Sequence, residues 1–144
     1  MRTIEDHVQA LESGAFSARA LIESCLGRIE DTSGEGSRVF IRTYAAQARA
    51  MADATDLQRR ANRAPSRFAG IPLAVKDLFD VAGEPTPAGS IVLADAAPAQ
   101  GHAPAVHRLL GMGFIPVGRA NMTEFAFSGL GINPHHGTPS SPWD

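Results

Sequence analysis

A chain of 144 residues with 44% apolar side chains has the length and apolar content for one ordinary domain with its own core. A net charge of −2 gives no basic footprint for nucleic acid, and a single cysteine excludes an internal disulfide framework and fits a reducing cytosol. The opening MRTIEDHVQ has acids where a signal peptide needs an apolar region, and no apolar run approaches the ~20 residues that span a bilayer, so a soluble, cytoplasmic protein is expected.

TIEDHVQALESG reads as a first helix, with Thr3 as cap, Asp6 at the third helical position, an Ile4/Val8/Leu11 stripe and Gly14 as its stop. A second helix is predicted over 17–31 with Ser17 as cap. It carries Cys25 beside Leu21, Ile22, Leu26 and Ile29, the setting of a buried small hydrophobe rather than of a nucleophile. TSGEGS is a loop, RVFI at 38–41 a short strand, and the Ala-rich stretch 44–61 a long helix. Arg59, Arg60, Arg63 and Arg67 fall at that helix's end and just beyond, where cations complement the helix dipole.

At Ala64 the composition shifts toward Gly and Pro and the elements shorten, which divides the chain into a helical segment, 1–63, and the start of an α/β core, 64–144. PLAVK, 72–76, is a continuous apolar run, as in a strand covered on both faces. The turn-rich DVAGEPTPAGS follows, then a helix over 103–111 with Val106, Leu109 and Leu110 as its apolar positions. FIPVG, 114–118, is a second buried strand, weakened by the ladder donor that Pro116 lacks. Strand, helix and strand at this spacing predict a βαβ unit with a parallel sheet. NMTEFAFSG has room for one helical turn, and 130–144 reads as loop.

One residue stands out chemically. Of thirteen basic residues twelve are arginine, and Lys76, at the end of PLAVK, is the sole lysine. Where surface charge was wanted, Arg was used; a lone Lys points to something guanidinium does not do, such as giving up a proton. The competing reading is a snorkelling lysine at a strand end. LAVKD looks like the ATP-pairing strand of kinases, but no glycine lies between Gly36 and Gly70 to form the loop a kinase needs. Lys76 is followed by Asp77, not Ser or Thr, so there is no P-loop, and no Gly-x-Ser-x-Gly elbow occurs. His135 and His136 are adjacent and His102 and His107 five apart, both poor spacings for one metal.

From Gly70 onward the chain resembles the amidase signature family. GIPLAVKD resembles its lysine motif, and TPAGS, 86–90, the loop after it. GRANMTEFAFSG, 118–129, is similar to a segment usually written Gly-Lys-Thr-Asn-Met-x-Glu-Phe, with Arg119 and Ala120 in place of Lys and Thr. GTPSSPWD resembles an Asn-Pro-Trp-Asp stretch, with Ser141 where Asn is common. The resemblance implies the N-terminal part of an α/β fold, a large mixed sheet between helical layers, incomplete in this chain. It implies an amidase that cleaves a carbon–nitrogen amide bond with a Ser–cis-Ser–Lys triad, Lys76 as the triad lysine, and Phe127 and Ser128 lining the substrate pocket, with no cofactor and no metal. A lysine in that role accepts a proton only when neutral, a state that burial favours. Asp77, pointing to the opposite face of the strand, is expected not to pair with Lys76 but to bond loop backbone. Phe125 fits core packing or the pocket equally.

The two serines of the triad lie, in the family, in a glycine-rich segment after the Pro-Trp-Asp stretch. None of this chain's serines has that setting, Ser140 and Ser141 included. The chain alone is therefore expected to be inactive and poorly stable, as a fragment with uncovered sheet edges. The expected partner is a small-molecule amide, with no direct nucleic acid, no membrane, and a homodimer left open. Two alternatives remain: the A subunit of a glutamyl/aspartyl-tRNA amidotransferase, and a non-catalytic remnant or binding protein. GLGINPHHGTP looks more like stand-alone amidases than like that subunit.

Overall fold

A computed structural model describes residues 3–141; the Pro-Trp-Asp end of the GTPSSPWD motif lies outside the described residues. Helix α1, Ile4–Glu12, begins at a reciprocal box: Asp6 N donates to the Thr3 hydroxyl at 3.1 Å and Thr3 N to the Asp6 carboxylate at 2.7 Å. Helix α2, Ala18–Glu30, is capped by Ser17, whose hydroxyl accepts from Ala20 N at 3.0 Å. Its remaining orphan donors, Ala18 N and Arg19 N, reach the carboxylate of Asp56 at 2.7 and 3.0 Å. Asp56 belongs to α4, Ala45–Arg60, so one helix caps another across the fold.

The same two helices share an ion cluster. Glu23 on α2 accepts from Arg19 at 2.8 Å and from Arg49 of α4 at 2.9 and 3.0 Å. Arg49 first, then Arg19, hold its carboxyl at about 2 against an ordinary 4.5. A carboxyl depressed in the folded state stabilises above its unfolded value and loses that contribution as pH falls through the folded one. Glu23→Gln is therefore expected to melt lower than wild type at neutral pH, with the gap closing between pH 4.5 and about 2; melting both proteins across that window checks it.

Short helix α3, Gly36–Val39, occupies ground expected to be loop and strand, and strand β1, Phe40–Thr43, starts two residues later than predicted. The turn closes because Val39 N donates to Glu35 O at 2.9 Å and Arg38 pairs with Glu35. Strand β2 is Pro72–Lys76, helix α5 Pro104–Gly111, and strand β3 Ile115–Ala120. β3 lies between the others, parallel to β2 and antiparallel to β1, so the described sheet is mixed and contains the predicted parallel unit. Pro116 is accommodated by an irregularity: Leu73 pairs with Pro116 but Ala74 with Gly118, skipping Val117.

Gly118 is where β1 and β3 touch most closely. A Cβ there would collide with the backbone oxygen of Arg42 and lie 2.8 Å from the Phe40 ring. Gly118→Ala is expected to cost about 1–3 kcal/mol through this overpacking, read as a lower Tm. Beneath the sheet, Val8 and Leu11 of α1, Leu21, Ile22 and Leu26 of α2 and Ala48 and Ala52 of α4 close one core with Ile71, Ile115 and Val117. Residues on both sides of position 63 thus share a core and a sheet. Cys25 is half-buried in α2, and that burial pushes its thiol up, away from a thiolate. Arg59 does more than face a helix dipole: it donates to the carbonyls of Ala69 and Arg67, and Arg67 pairs with Glu5 at 2.7 Å. No helix among the described residues is long and apolar enough to cross a membrane.

Candidate active site

β2 ends in Lys76, opposite Ala120 of β3. The side chain stands on an open groove of about 310 Å3 walled by Asn121, Met122, Thr123, Ala126, Ser128, Gly129 and Gly131. The structure therefore brings Lys76 and Ser128 to one groove. It does not bring Phe127 there: that ring is 94% exposed and absent from the groove wall. The Ser128 hydroxyl accepts from Leu130 N at 3.1 Å and is also exposed. Lys76 itself is exposed, contrary to the burial expected for a neutral lysine. The groove is open, and its lining comes from Lys76 and the 121–131 segment alone.

The groove's framework is buried and polar. Asp77, the next residue, is fully buried, and its carboxylate accepts from Arg119 Nε at 2.6 Å and from Gly89 N at 2.8 Å. It thus bonds loop backbone as expected, and in addition forms an ion pair that the sequence did not reveal. Arg119 is 2% exposed. Its Nη2 donates to the carbonyls of Asp77 and Phe79, and its Nη1 lies 3.6 Å from Glu84 with no hydrogen-bond partner among the described residues. Glu84 also accepts from the Tyr44 hydroxyl at 2.7 Å; burial, then Glu84, pushes that phenol well up and keeps it protonated.

Asn133 ties the two loops together. Its Nδ2 donates to Gly89 O at 2.8 Å and Met122 O at 2.7 Å, and its Oδ1 accepts from the backbone of His135 and His136. Asn121 Nδ2 holds the carbonyls of Arg38 and Gly137. Gly89 is required here: its φ is +72°, and a Cβ would lie 2.8 Å from Met122 O. Ala88, Phe125 and Ala126 also have φ between 53° and 56°, a strained region for residues with a Cβ, and Phe125 N donates to Ala88 O at 2.9 Å. Glu124 is held below its ordinary range by the Ser90 hydroxyl and then by His135. Backbone strain in and beside the groove wall, with a buried polar frame next to it, is the pattern of a functional site. The frame residues Arg119 and Asn133 were missed as such because their partners lie far away in sequence; the GRAN and INPHH motifs that contain them were the only signal.

Comparison with known proteins fits this geometry. The model of the Amidase family matches residues 20–144. AtzE, a 1-carboxybiuret hydrolase subunit of Pseudomonas sp. strain ADP, is 38% identical over all of this chain and 31% of its own length. The A subunit of the glutamyl-tRNA(Gln) amidotransferase of Chromohalobacter salexigens is also 38% identical, over 99% of the chain and 29% of its own length. Among solved structures, a vestigial protein complex described as revealing the origins of an s-triazine catabolic enzyme superposes with a TM-score of 0.90 at 38% identity, covering 100% of this chain and 31% of that one. A bacterial aryl acylamidase of the amidase signature enzymes superposes with a TM-score of 0.88 at 25% identity, covering 99% and 30%. The chain spans about 30% of the length of these relatives. A motif-bearing groove around a sole lysine, a matching family model and relatives aligned along the whole chain together show that it belongs to the amidase signature family.

Proposed function

We propose that this chain is the lysine-bearing part of an amide hydrolase working by a Ser–cis-Ser–Lys relay, with Lys76 as its base. The observation that carries the reading is the position of the chain's only lysine, at the end of β2 on the groove walled by the 121–131 segment. In this mechanism neutral Lys76 takes the proton of the bridging serine, which takes that of the nucleophilic serine. The nucleophile's oxygen attacks the amide carbonyl, backbone N–H groups stabilise the oxyanion, and the C–N bond breaks as the amine leaves with the relayed proton. Water then releases the acid from the acyl-enzyme. Ser128 contacts the substrate in the groove, with Phe127 at its mouth. Burial of Lys76 comes from the segment that carries the serines, packed over the open side. The 144-residue chain by itself, with no serine in a Gly-Gly-Ser-Ser-Gly-Gly-like segment, does not turn over amides. The substrate is a small molecule, no cofactor takes part, and a cytoplasmic setting fits the single cysteine.

A second reading, the A subunit of a tRNA-dependent amidotransferase, is favoured by the equal identity to the Chromohalobacter salexigens protein and to the 1-carboxybiuret hydrolase relative. Incubating the product of the gene that encodes this chain with a panel of primary and secondary amides separates the two. Acid and amine released without any partner support the hydrolase. Ammonia released only from glutamine, and only with a charged tRNA and partner proteins, supports the amidotransferase. No C–N cleavage under either condition overturns both and leaves a non-catalytic remnant.

A further inference from the structure

We propose that Arg119 is a positioning residue for Lys76, acting through Asp77; this rests on the reading of Lys76 as the base. Lys76 has a long, exposed stem, so what the protein can fix is the direction in which its backbone launches that stem. The structure fixes it on one side with unusual completeness. Asp77 N donates to Ala120 O at 3.1 Å, Asp77 O accepts from Arg119 Nη2 at 3.1 Å and from Ala88 N at 3.2 Å, and both carboxylate oxygens are taken. Every polar group of the residue after Lys76 is thus bound, two of those bonds coming from Arg119 and two from the backbone of Ala88 and Gly89.

The departure from the resembled motif acquires a reason here. A guanidinium is a planar fork: Nε meets the Asp77 carboxylate while Nη2 bridges the carbonyls of Asp77 and Phe79 at 3.1 and 3.0 Å. One rigid group therefore sets the positions of a strand end and of the chain two residues on. An ammonium at the same place can neutralise Asp77 but holds these acceptors less rigidly.

The test uses the gene product in which this chain is joined to the serine-bearing segment, assayed with an amide it cleaves and titrated with a serine-directed fluorophosphonate so that kcat is counted per competent site. Arg119→Met is expected to lower kcat per titrated site about 10- to 100-fold with KM within twofold, and Arg119→Lys to recover most of it. Because Arg119→Met leaves a buried carboxylate unpaired, Asp77→Asn combined with Arg119→Met is measured beside it, and the same loss of kcat is expected. If activity falls only in proportion to titrated sites, with kcat per site unchanged, Arg119 is structural and the proposal is overturned. Lys76→Arg run in parallel separates the two ideas. An active Lys76→Arg enzyme sinks the assignment of the base and this proposal with it. An inactive one beside a fully active Arg119→Met enzyme sinks the positioning role alone.

Discussion

In the gene product that joins this chain to the serine-bearing segment, Lys76→Arg is expected to abolish the proposed amide turnover while leaving the fold untouched. Both side chains carry a positive charge on a flexible stem, and Lys76 is exposed, so the substitution changes little that the folded state depends on. The chemistry is different. A guanidinium stays protonated at any usable pH and cannot take a proton from a serine. General-base catalysis contributes about 10²- to 10⁴-fold, and disabling one member of a nucleophilic relay costs as much as or more than that. A fall in kcat of at least roughly 10³-fold is expected, with KM nearly unchanged, because in the proposed role the lysine moves a proton and does not hold the substrate. Lys76→Ala is expected to match it. Steady-state kinetics with a melting curve for each variant check the result: turnover within tenfold of wild type would remove Lys76 from the mechanism, and a collapsed melt would show a structural role instead.

What was legible in the sequence follows the range of the interactions. The Thr3 and Ser17 caps and the apolar faces of α1 and α2 are set by neighbours within a few positions and were readable, although Ile4, read into the α1 stripe, is exposed; the βαβ unit, whose strands pair 43 to 44 positions apart, was readable from the order and spacing of its elements. Lys76 was readable because its rarity is a property of composition. Asp56 capping α2, Arg119 on Asp77 and Asn133 on Gly89 each join residues 37 to 44 positions apart, and no local pattern announces them. The exposure of Lys76 and Phe127 was not readable either. An apolar run suggests burial, but whether a strand-end residue is covered depends on what packs over it. Likewise Phe125 and Ala126 read as an ordinary helical turn, whereas both have a left-handed backbone, with Phe125 N bonded to the distant Ala88 O.

Asn133→Leu is expected to lower the stability of the groove's frame sharply. The side chain is buried and uses all of its hydrogen-bonding capacity: two donors on the carbonyls of Gly89 and Met122, two acceptor positions on the N–H groups of His135 and His136. Leucine has a similar length and offers none of these, so four backbone groups lose their partner, two of them buried carbonyls. At about 1–3 kcal/mol for each buried group left unsatisfied, the loss is about 3 kcal/mol or more. Asn133→Asp tests the attribution. It keeps the oxygen that accepts from His135 and His136 but sets a second oxygen against two carbonyls, so at neutral pH its Tm is expected to fall about as far as that of Asn133→Leu. Burial against acceptors favours the protonated acid and raises its folded-state value, so the charge part of the penalty exists above the unfolded value of about 3.9 and is lost below it, while the single O–H still serves only one of the two carbonyls. As pH falls toward that value the Asp variant is expected to approach wild type while the Leu variant does not. Parallel curves for the two variants would mean that volume, not the lost donors, is responsible. If the curves separate, the lost donors and not the volume account for the cost, and the Asn133 amide is one of the ties that hold the wall facing Lys76.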